Sequence, residues 1–467
     1  MTATLERPQP TPQTTPQPIP TYPGGHPIWG TGRMFAADPI ALLLQAMHDY
    51  PEIVRMRFGP FSLHVVSDAD LAKEVMVTRN RNFERPQNIR TILDAVSGVN
   101  LFNSNGEVWR RQRRLLQPAF HMRRIVGFAD TMTGETERLL QEWTTNPAIA
   151  AGQPVDVEKE MMRVTFNIVG KALFGVDMQE AGRSQELSAA FATNAAWIDH
   201  RLGNLLAAPL WMPTRLNRGF KQSRATASRL IGQIIDDRRR EGGDHDDFLQ
   251  MLLDLRYDDT GEGMNDEQLI NESGAFFFAG HETTSNTLSW TWYLLAKYPG
   301  VEAKLHEELD RVLAGRTPTL ADLENLTYTR MIIEESMRLY PAAWATSRQA
   351  IEADQIGPYA IPAGGMIMIN ISGIHRSPLY WDNPDSFEPE RFSPERSADR
   401  PRHVYLPFGQ GPRQCIGNQF AMMEAQLVLA TLAQRYRLRT LPGYTAHAKP
   451  VFTLHVEGGL PMIVERR

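Results

Sequence analysis

Residues 408–417 read FGQGPRQCIG and hold the one cysteine of the 467-residue chain. Without a second cysteine, Cys415 can enter no intramolecular disulfide and no multi-cysteine zinc or iron–sulfur site. Its surroundings favour a thiolate. Gly409 and Gly411 permit positive φ and a tight turn. A helix is expected to start near Cys415, where the dipole and free N–H groups stabilise an anion. Gly417 lets the backbone approach a neighbour closely, and Arg413 sets a cation beside the site. Two other readings compete. A dinucleotide fingerprint would need glycine where Gln414 stands. An inert buried cysteine would not need the glycine-punctuated loop.

A second group with chemistry in it is Ala279-Gly280-His281-Glu282-Thr283-Thr284. It lies in an apolar stretch with helical character. Glycine inside a helix costs about 1 kcal/mol, and buried Glu and Thr are costly unless partnered. Departures of this kind point to function. A carboxyl beside a hydroxyl can hold and deliver protons. Elsewhere, Glu335 and Arg338 share a helix face at i, i+3, and Trp109 and Arg113 share one at i, i+4. His281 reads as structural.

The elements that must position these groups follow from periodicity and capping. A helix is expected over 265–297, with Asn265 as its cap and Asp266 and Glu267 at its positive end. Its middle, Gly274 to Gly280, is apolar all round and therefore buried. A hairpin is expected around Gly59-Pro60. Helices dominate from Asp68 to about Tyr340, and small β elements follow Pro341. A Pro- and Arg-rich irregular stretch with embedded aromatics precedes Cys415. The helix after it presents Phe420, Met423, Leu427 and Ala430 on one face. Residues 1–20, rich in Pro, Thr and Gln, read as a disordered tail.

The cysteine loop resembles the heme-binding loop of the cytochrome P450 family. That loop runs Phe, two residues, Gly, one, Arg, one, Cys, one, Gly, matched here by Phe408, Gly411, Arg413, Cys415 and Gly417. The resemblance implies one catalytic domain over 21–467, mainly α with a small β-rich part. Heme b (iron protoporphyrin IX) would lie between the long distal helix and the cysteine loop, with Cys415 as iron ligand. Phe408 would pack against it, and Arg413, Arg348, Trp109 and Arg113 would hold its propionates. Glu282 and Thr283 match the family's acid–alcohol pair for proton delivery. Gly280 would permit a local helix distortion and Ala279 would lie over the heme. Glu335 and Arg338 match the family's Glu-x-x-Arg helix and Arg391 its meander arginine, together locking the cysteine loop.

The implied activity is a monooxygenase that inserts one atom of dioxygen into a hydrophobic small molecule by hydroxylation or epoxidation. No flavin or nicotinamide segment is expected after the cysteine-side helix, so electrons would come from a separate ferredoxin or flavodoxin-type donor with its reductase. Arg110, Arg111, Arg114, Arg123 and Arg124 would dock that acidic donor. Two alternatives stay open: a peroxide-driven or rearranging enzyme, against which Glu282-Thr283 argues, and a non-catalytic heme protein. The net charge of -5 gives no whole-chain signal for nucleic acid. No bilayer-spanning run or secretory signal is found, so the expected location is cytoplasmic. The expected pocket walls are the loop from Arg85 to Val108, the segment 191–220 with Trp197, Leu205, Leu206 and Trp211, then Phe276, Ala279, Thr283 and residues 342–346. They are largely apolar and name no particular substrate.

Overall fold

The computed structural model describes residues 16–178, 183–204, 207–243, 245, 247–257 and 260–467. The chain is mainly helical, with four small sheets among the described residues. The helices that build the site are α1 (Gly106–Leu116), α2 (Ala129–Thr145), α3 (Val157–Phe174), α4 (Arg183–Gly203), α5 (Arg215–Glu241), α6 (Asp266–Lys297), α7 (Thr327–Leu339) and α8 (Asn418–Ala433).

Helix α6 crosses the molecule. Asn265 caps it by accepting from the Gln268 N–H at 2.8 Å. Asp266 and Glu267 occupy its first turn and Lys297 its last, each sign matching the dipole. Its 32 residues span roughly 48 Å at 1.5 Å per residue. It packs on α3, α5 and α8, which is why Phe277, Leu288, Trp290 and Leu295 are fully buried. On α8, Phe420, Met423, Leu427 and Ala430 face the same core.

The main sheet runs β1-β2-β5-β4-β3, from β1 (Ile53–Phe58), β2 (Phe61–Val66), β3 (Phe83–Glu84), β4 (Thr346–Ala350) and β5 (Met366–Ile369). β1 and β2 form the expected hairpin, with Phe58 opposite Phe61 and Gly59 at φ 60°. β2 and β5 are parallel, the other pairs antiparallel. Register places Arg348 of β4 opposite Ile367. A C-terminal hairpin, β6 (Ala448–Pro450) and β7 (Leu454–Val456), lies against α6, where the Trp290 indole donates to the Leu454 carbonyl at 3.0 Å.

The irregular stretch before Cys415 is packed, with Trp381, Val404 and Leu406 buried in the second core and Phe392 and Tyr405 against it. Residues 1–15 of the expected tail lie outside the described residues. Its expected limit at 20 falls inside the ordered chain. The Gln17 N–H donates to the Pro358 carbonyl at 2.7 Å, and the Pro20 carbonyl accepts from the Arg55 N–H at 2.7 Å. Among the described residues no helix is long and apolar enough to cross a membrane.

Candidate active site

The cysteine loop is closed by its own backbone, and a buried cluster holds the segment that leads to it. The Cys415 N–H donates to the Phe408 carbonyl at 2.9 Å, closing the loop. Gly411 has φ 73°, and a Cβ there would stand 2.2 Å from the Met76 carbonyl oxygen, so only glycine fits. Gly417 is less crowded: its nearest neighbour, Phe120, would be 4.0 Å from a Cβ. Its N–H instead serves Cys415, lowering the thiol pKa together with the Arg113 charge. Burial outweighs both and raises it. Helix α8 begins three residues after the cysteine, at Asn418.

Behind the loop, Arg338 clasps Glu335 through two hydrogen bonds of 2.7 and 2.8 Å. Its remaining donors reach the carbonyls of His375, Pro384 and Ser386. Arg391 donates to the same Glu335 at 3.2 Å and to the Asn383 carbonyl at 2.8 Å. All three side chains are buried. His375, which sequence reasoning passed over, accepts from the Leu406 N–H at 2.7 Å, just before Phe408. Burial pushes its pKa down to about 3, so the ring is neutral and free to accept.

Cys415, Phe408, Gly417, Ala279, Phe276, Glu282, Thr283, Trp109, Arg113, Arg348 and Arg413 all line one cavity of about 2170 Å³. Cys415 is exposed to this space rather than packed away from it. Among the described residues, Arg348 donates only to Thr346 and to the Ser347 carbonyl, and Arg413 only to the Ser104 carbonyl and Asn105. The Arg413 guanidinium stacks 4.4 Å over the Trp109 ring. Burial pushes both arginines down to about 10, and Arg348 adds to the effect on Arg413. Arg85 joins them: burial, then the charges of Arg348 and Arg413, lower its pKa, and its Nε is buried without a hydrogen-bond partner among the described residues. Arg85 stands at the start of a pocket wall expected from the sequence, and its place in the arginine cluster is the addition. It reaches the others because β3 pairs with β4.

On the opposite wall, α6 brings Ala279, Glu282 and Thr283 to the cavity. The Thr283 hydroxyl donates to the Ala279 carbonyl at 3.0 Å. Glu282 is buried and accepts from the Thr453 hydroxyl at 2.6 Å, with His455 Nε2 3.3 Å from the same oxygen. The expected distortion at Gly280 is absent, since α6 runs through it unbroken. The glycine has a packing reason: a Cβ would stand 3.0 Å from Val169 of α3. His281 is structural, its Nδ1 2.6 Å from the Phe277 carbonyl and its ring edge-on to Phe166.

The pocket walls differ in part from expectation. Phe276 borders the cavity beside Phe120, its ring stacked at 5.2 Å. Phe278, unremarked in the sequence, borders it from the side of Phe452. Its i, i+4 relation to Glu282 was the available signal. Trp197 is no wall: it stacks on Phe220 at 3.9 Å and donates to Asn217. Trp211 is 75% exposed on the surface. Leu205 and Leu206 lie outside the described residues. Residues 342–346 do line the cavity. Glu272, also missed, is buried with both oxygens on the Leu101 N–H, at 3.0 and 3.1 Å. Burial pushes its pKa up to about 8.

Comparison with known proteins matches the Cytochrome P450 family model over residues 20–455. Cyclooctatin synthase of Streptomyces melanosporofaciens is 35% identical, with 95% of each chain covered. Cyclooctat-9-en-7-ol 5-monooxygenase of the same organism is 32% identical over 96% of this chain and 95% of that one. A crystal structure of the cytochrome P450DA heme domain superposes with a TM-score of 0.88 at 29% identity, covering 97% and 98% of the two chains. With its motifs gathered around one cavity and residues 20–455 matched, the chain belongs to the cytochrome P450 family, the heme-thiolate monooxygenases that use dioxygen, a hydrophobic substrate and electrons from a redox partner.

Proposed function

We propose that this chain hydroxylates or epoxidises a terpenoid, with heme b held by Cys415 and the cavity arginines and electrons taken from a ferredoxin or flavodoxin-type donor in the cytoplasm. The observation that carries the proposal is the charge pattern of the cavity. One wall offers a thiol, and Arg85, Arg113, Arg348 and Arg413 line the space without forming an ion pair to a carboxylate among the described residues. These residues fit heme, which brings an iron for the thiolate and two propionates for the cations. Bound there, heme supplies the reductive activation of dioxygen and the transfer of one oxygen atom to carbon.

The chain's own residues do the rest. Cys415, with the Gly417 N–H and Arg113 charge favouring its anion, would be the ligand. Phe408 would pack against the cysteine side. Ala279, a small side chain exposed to the cavity, leaves room for substrate. Thr283 can rotate its hydroxyl from the Ala279 carbonyl into the cavity and donate there. Glu282 stands next to it as a proton store. Balanced for hydroxylation, the reaction takes substrate, dioxygen, two electrons and two protons to alcohol and water. The apolar walls from Phe276, Phe278, Phe452 and Ala342 favour a hydrocarbon skeleton. Three relatives bear on the class: the two Streptomyces melanosporofaciens proteins and pentalenene oxygenase of Streptomyces avermitilis, 28% identical over 92% of this chain.

The test begins with the carbon monoxide difference spectrum of the reduced protein and of Cys415→Ser. A strongly red-shifted band lost in the variant is expected; a band typical of histidine-ligated heme overturns the ligand assignment. A panel of cyclic sesquiterpene and diterpene hydrocarbons and alcohols is then offered with ferredoxin, reductase and ¹⁸O₂. One labelled oxygen per product is expected. Turnover with peroxide alone that equals the full system would make the enzyme a peroxygenase instead.

A further inference from the structure

The one carboxyl assigned to proton handling is buried, and its hydrogen-bond partners run outward to the surface. The Thr453 hydroxyl donates to Glu282 Oε1 at 2.6 Å. The same hydroxyl lies 3.1 Å from His455 Nε2. His455 Nε2 is also 3.3 Å from Glu282 Oε1, and its Nδ1 is 2.9 Å from Glu158 Oε1. The His455 side chain is 23% exposed, against 6% for Glu282. Thus α3 supplies Glu158, β7 supplies His455, the turn before it supplies Thr453, and α6 supplies Glu282.

We propose that His455 is the residue through which Glu282 exchanges protons with solvent, with the Thr453 hydroxyl as the link. The inference rests on Glu282 being the proton-handling carboxyl. His455 acts through Glu282 and touches neither substrate nor cofactor space, so it is a positioning and relay residue. The transfer balances without any other reactant. The Nε2–H proton passes to Thr453 Oγ1 as the Thr453 proton passes to Glu282 Oε1. Nδ1 keeps its proton, donated in a hydrogen bond to Glu158, and this fixes the ring. The neutral ring then takes a proton at Nε2 from water at its exposed edge. The net change is one proton moved from solvent to the buried carboxyl.

A purely structural clamp would look different, and this molecule contains one for comparison. Glu335 is held by two arginines, which never release a proton. Glu282 is held by a hydroxyl and an imidazole, both able to pass one on. Burial works against charging the His455 ring. Hydrogen bonds to Glu158 and Glu282, with their charges, outweigh it and push the pKa up to about 9. The other charges near this chain are Asp199 of α4, raised by burial, and Lys449 of β6. The raised value means that the ring is a cation, and a proton donor, below about pH 9.

The experiment uses the heme-loaded full chain with a ferredoxin, its reductase and NADPH in air without substrate, the rates of the same mixture lacking the chain being subtracted, so no unidentified ligand is required. Oxygen consumed and peroxide released are followed in H₂O and D₂O across the alkaline range. In the wild type, oxygen consumption is expected to fall as pH rises through about 9, where the ring loses its proton. His455→Asn keeps a donor toward Thr453 but cannot relay. It is expected to slow consumption about tenfold, raise the peroxide share and lose the pH break. Thr453→Val is expected to move the same quantities the same way, and Thr453→Ser to restore them, so the link remains testable should the His455 variant fail to hold heme. ¹³C-histidine NMR of the holoenzyme gives a readout apart from turnover: a midpoint near 9, lowered in Glu158→Gln. Wild-type rates and pH profile in both His455→Asn and Thr453→Val, with Glu282→Gln slowed, overturn the relay alone. An unchanged Glu282→Gln overturns the role of Glu282 itself.

Discussion

Arg338 and Arg348 are both buried, yet the protein treats them in opposite ways. Arg338 has a carboxylate, Glu335, and three backbone carbonyls, so its charge and donors are used within the chain. Arg348 has a hydroxyl and its neighbour's carbonyl, and no carboxylate among the described residues. Burial accordingly pushes it down to about 10. The difference separates structure from site. A buried cation that the chain neutralises holds the chain together. One that it leaves without a counter-charge is held at a cost in stability and marks where an anion belongs.

The largest effect should come from breaking the neutralised cluster. Glu335→Ala leaves Arg338 buried without its carboxylate and Arg391 paired with Glu388 alone among the described residues, a change worth about 3–5 kcal/mol. Urea denaturation should show this loss, and the purified protein should lack heme. Normal heme occupancy would mean that the clamp does not hold the cysteine loop. The unneutralised cluster should answer with the opposite sign. Arg348→Met should stabilise the apoprotein by about 1–3 kcal/mol while weakening heme retention. An Arg348→Met apoprotein less stable than wild type would break the comparison, because the arginine would then be serving the fold.

How much of this could be read from sequence depends on how local each feature is. The cysteine loop, the capped α6 and the Glu335–Arg338 helix depend on short spacings, so periodicity and glycine placement exposed them. Arg85 and His455 depend on non-local pairing. Arg85 reaches the cavity through the β3–β4 pairing, and His455 reaches Glu282 across 173 positions of chain. No spacing rule connects such residues. Gly280 shows the converse error. Its unfavourable helix propensity was visible, but the cause lay on α3, at Val169. Trp197 and Trp211 were grouped as pocket walls by composition, whereas the fold sends one into the core and the other to the surface.

A smaller effect should come from His375, which belongs to the neutralised region but carries no charge of its own. Its ring accepts from Leu406 and lies among Arg338 and Arg376. His375→Phe leaves the buried Leu406 N–H unsatisfied, worth about 1–3 kcal/mol. Heme should still bind, with a faster loss rate measured by transfer to an acceptor protein. Asparagine, which keeps an acceptor oxygen, should recover part of the loss. No change in either variant would place the anchoring of the cysteine loop wholly with the arginines.

The smallest effect concerns arginines that are exposed and need no neutralising partner. Arg110, Arg114, Arg123 and Arg124 are exposed. Arg110 pairs with Glu107 at 2.7 Å, and Arg111 is half-buried, stacked 3.8 Å over Tyr257. An exposed ion pair adds little to stability, so reversing these charges should leave the urea midpoint nearly unchanged. Their field acts at a distance, however, and should steer an acidic electron donor. Arg114→Glu with Arg123→Glu should lower the donor's association rate about tenfold at low salt, and the gap should close as salt screens it. Arg111→Glu is the weaker test, because it also removes the stacking on Tyr257. Equal rates at every salt concentration would show that the donor approaches another face, and the cation count on α1 would then describe a solvated surface and nothing more.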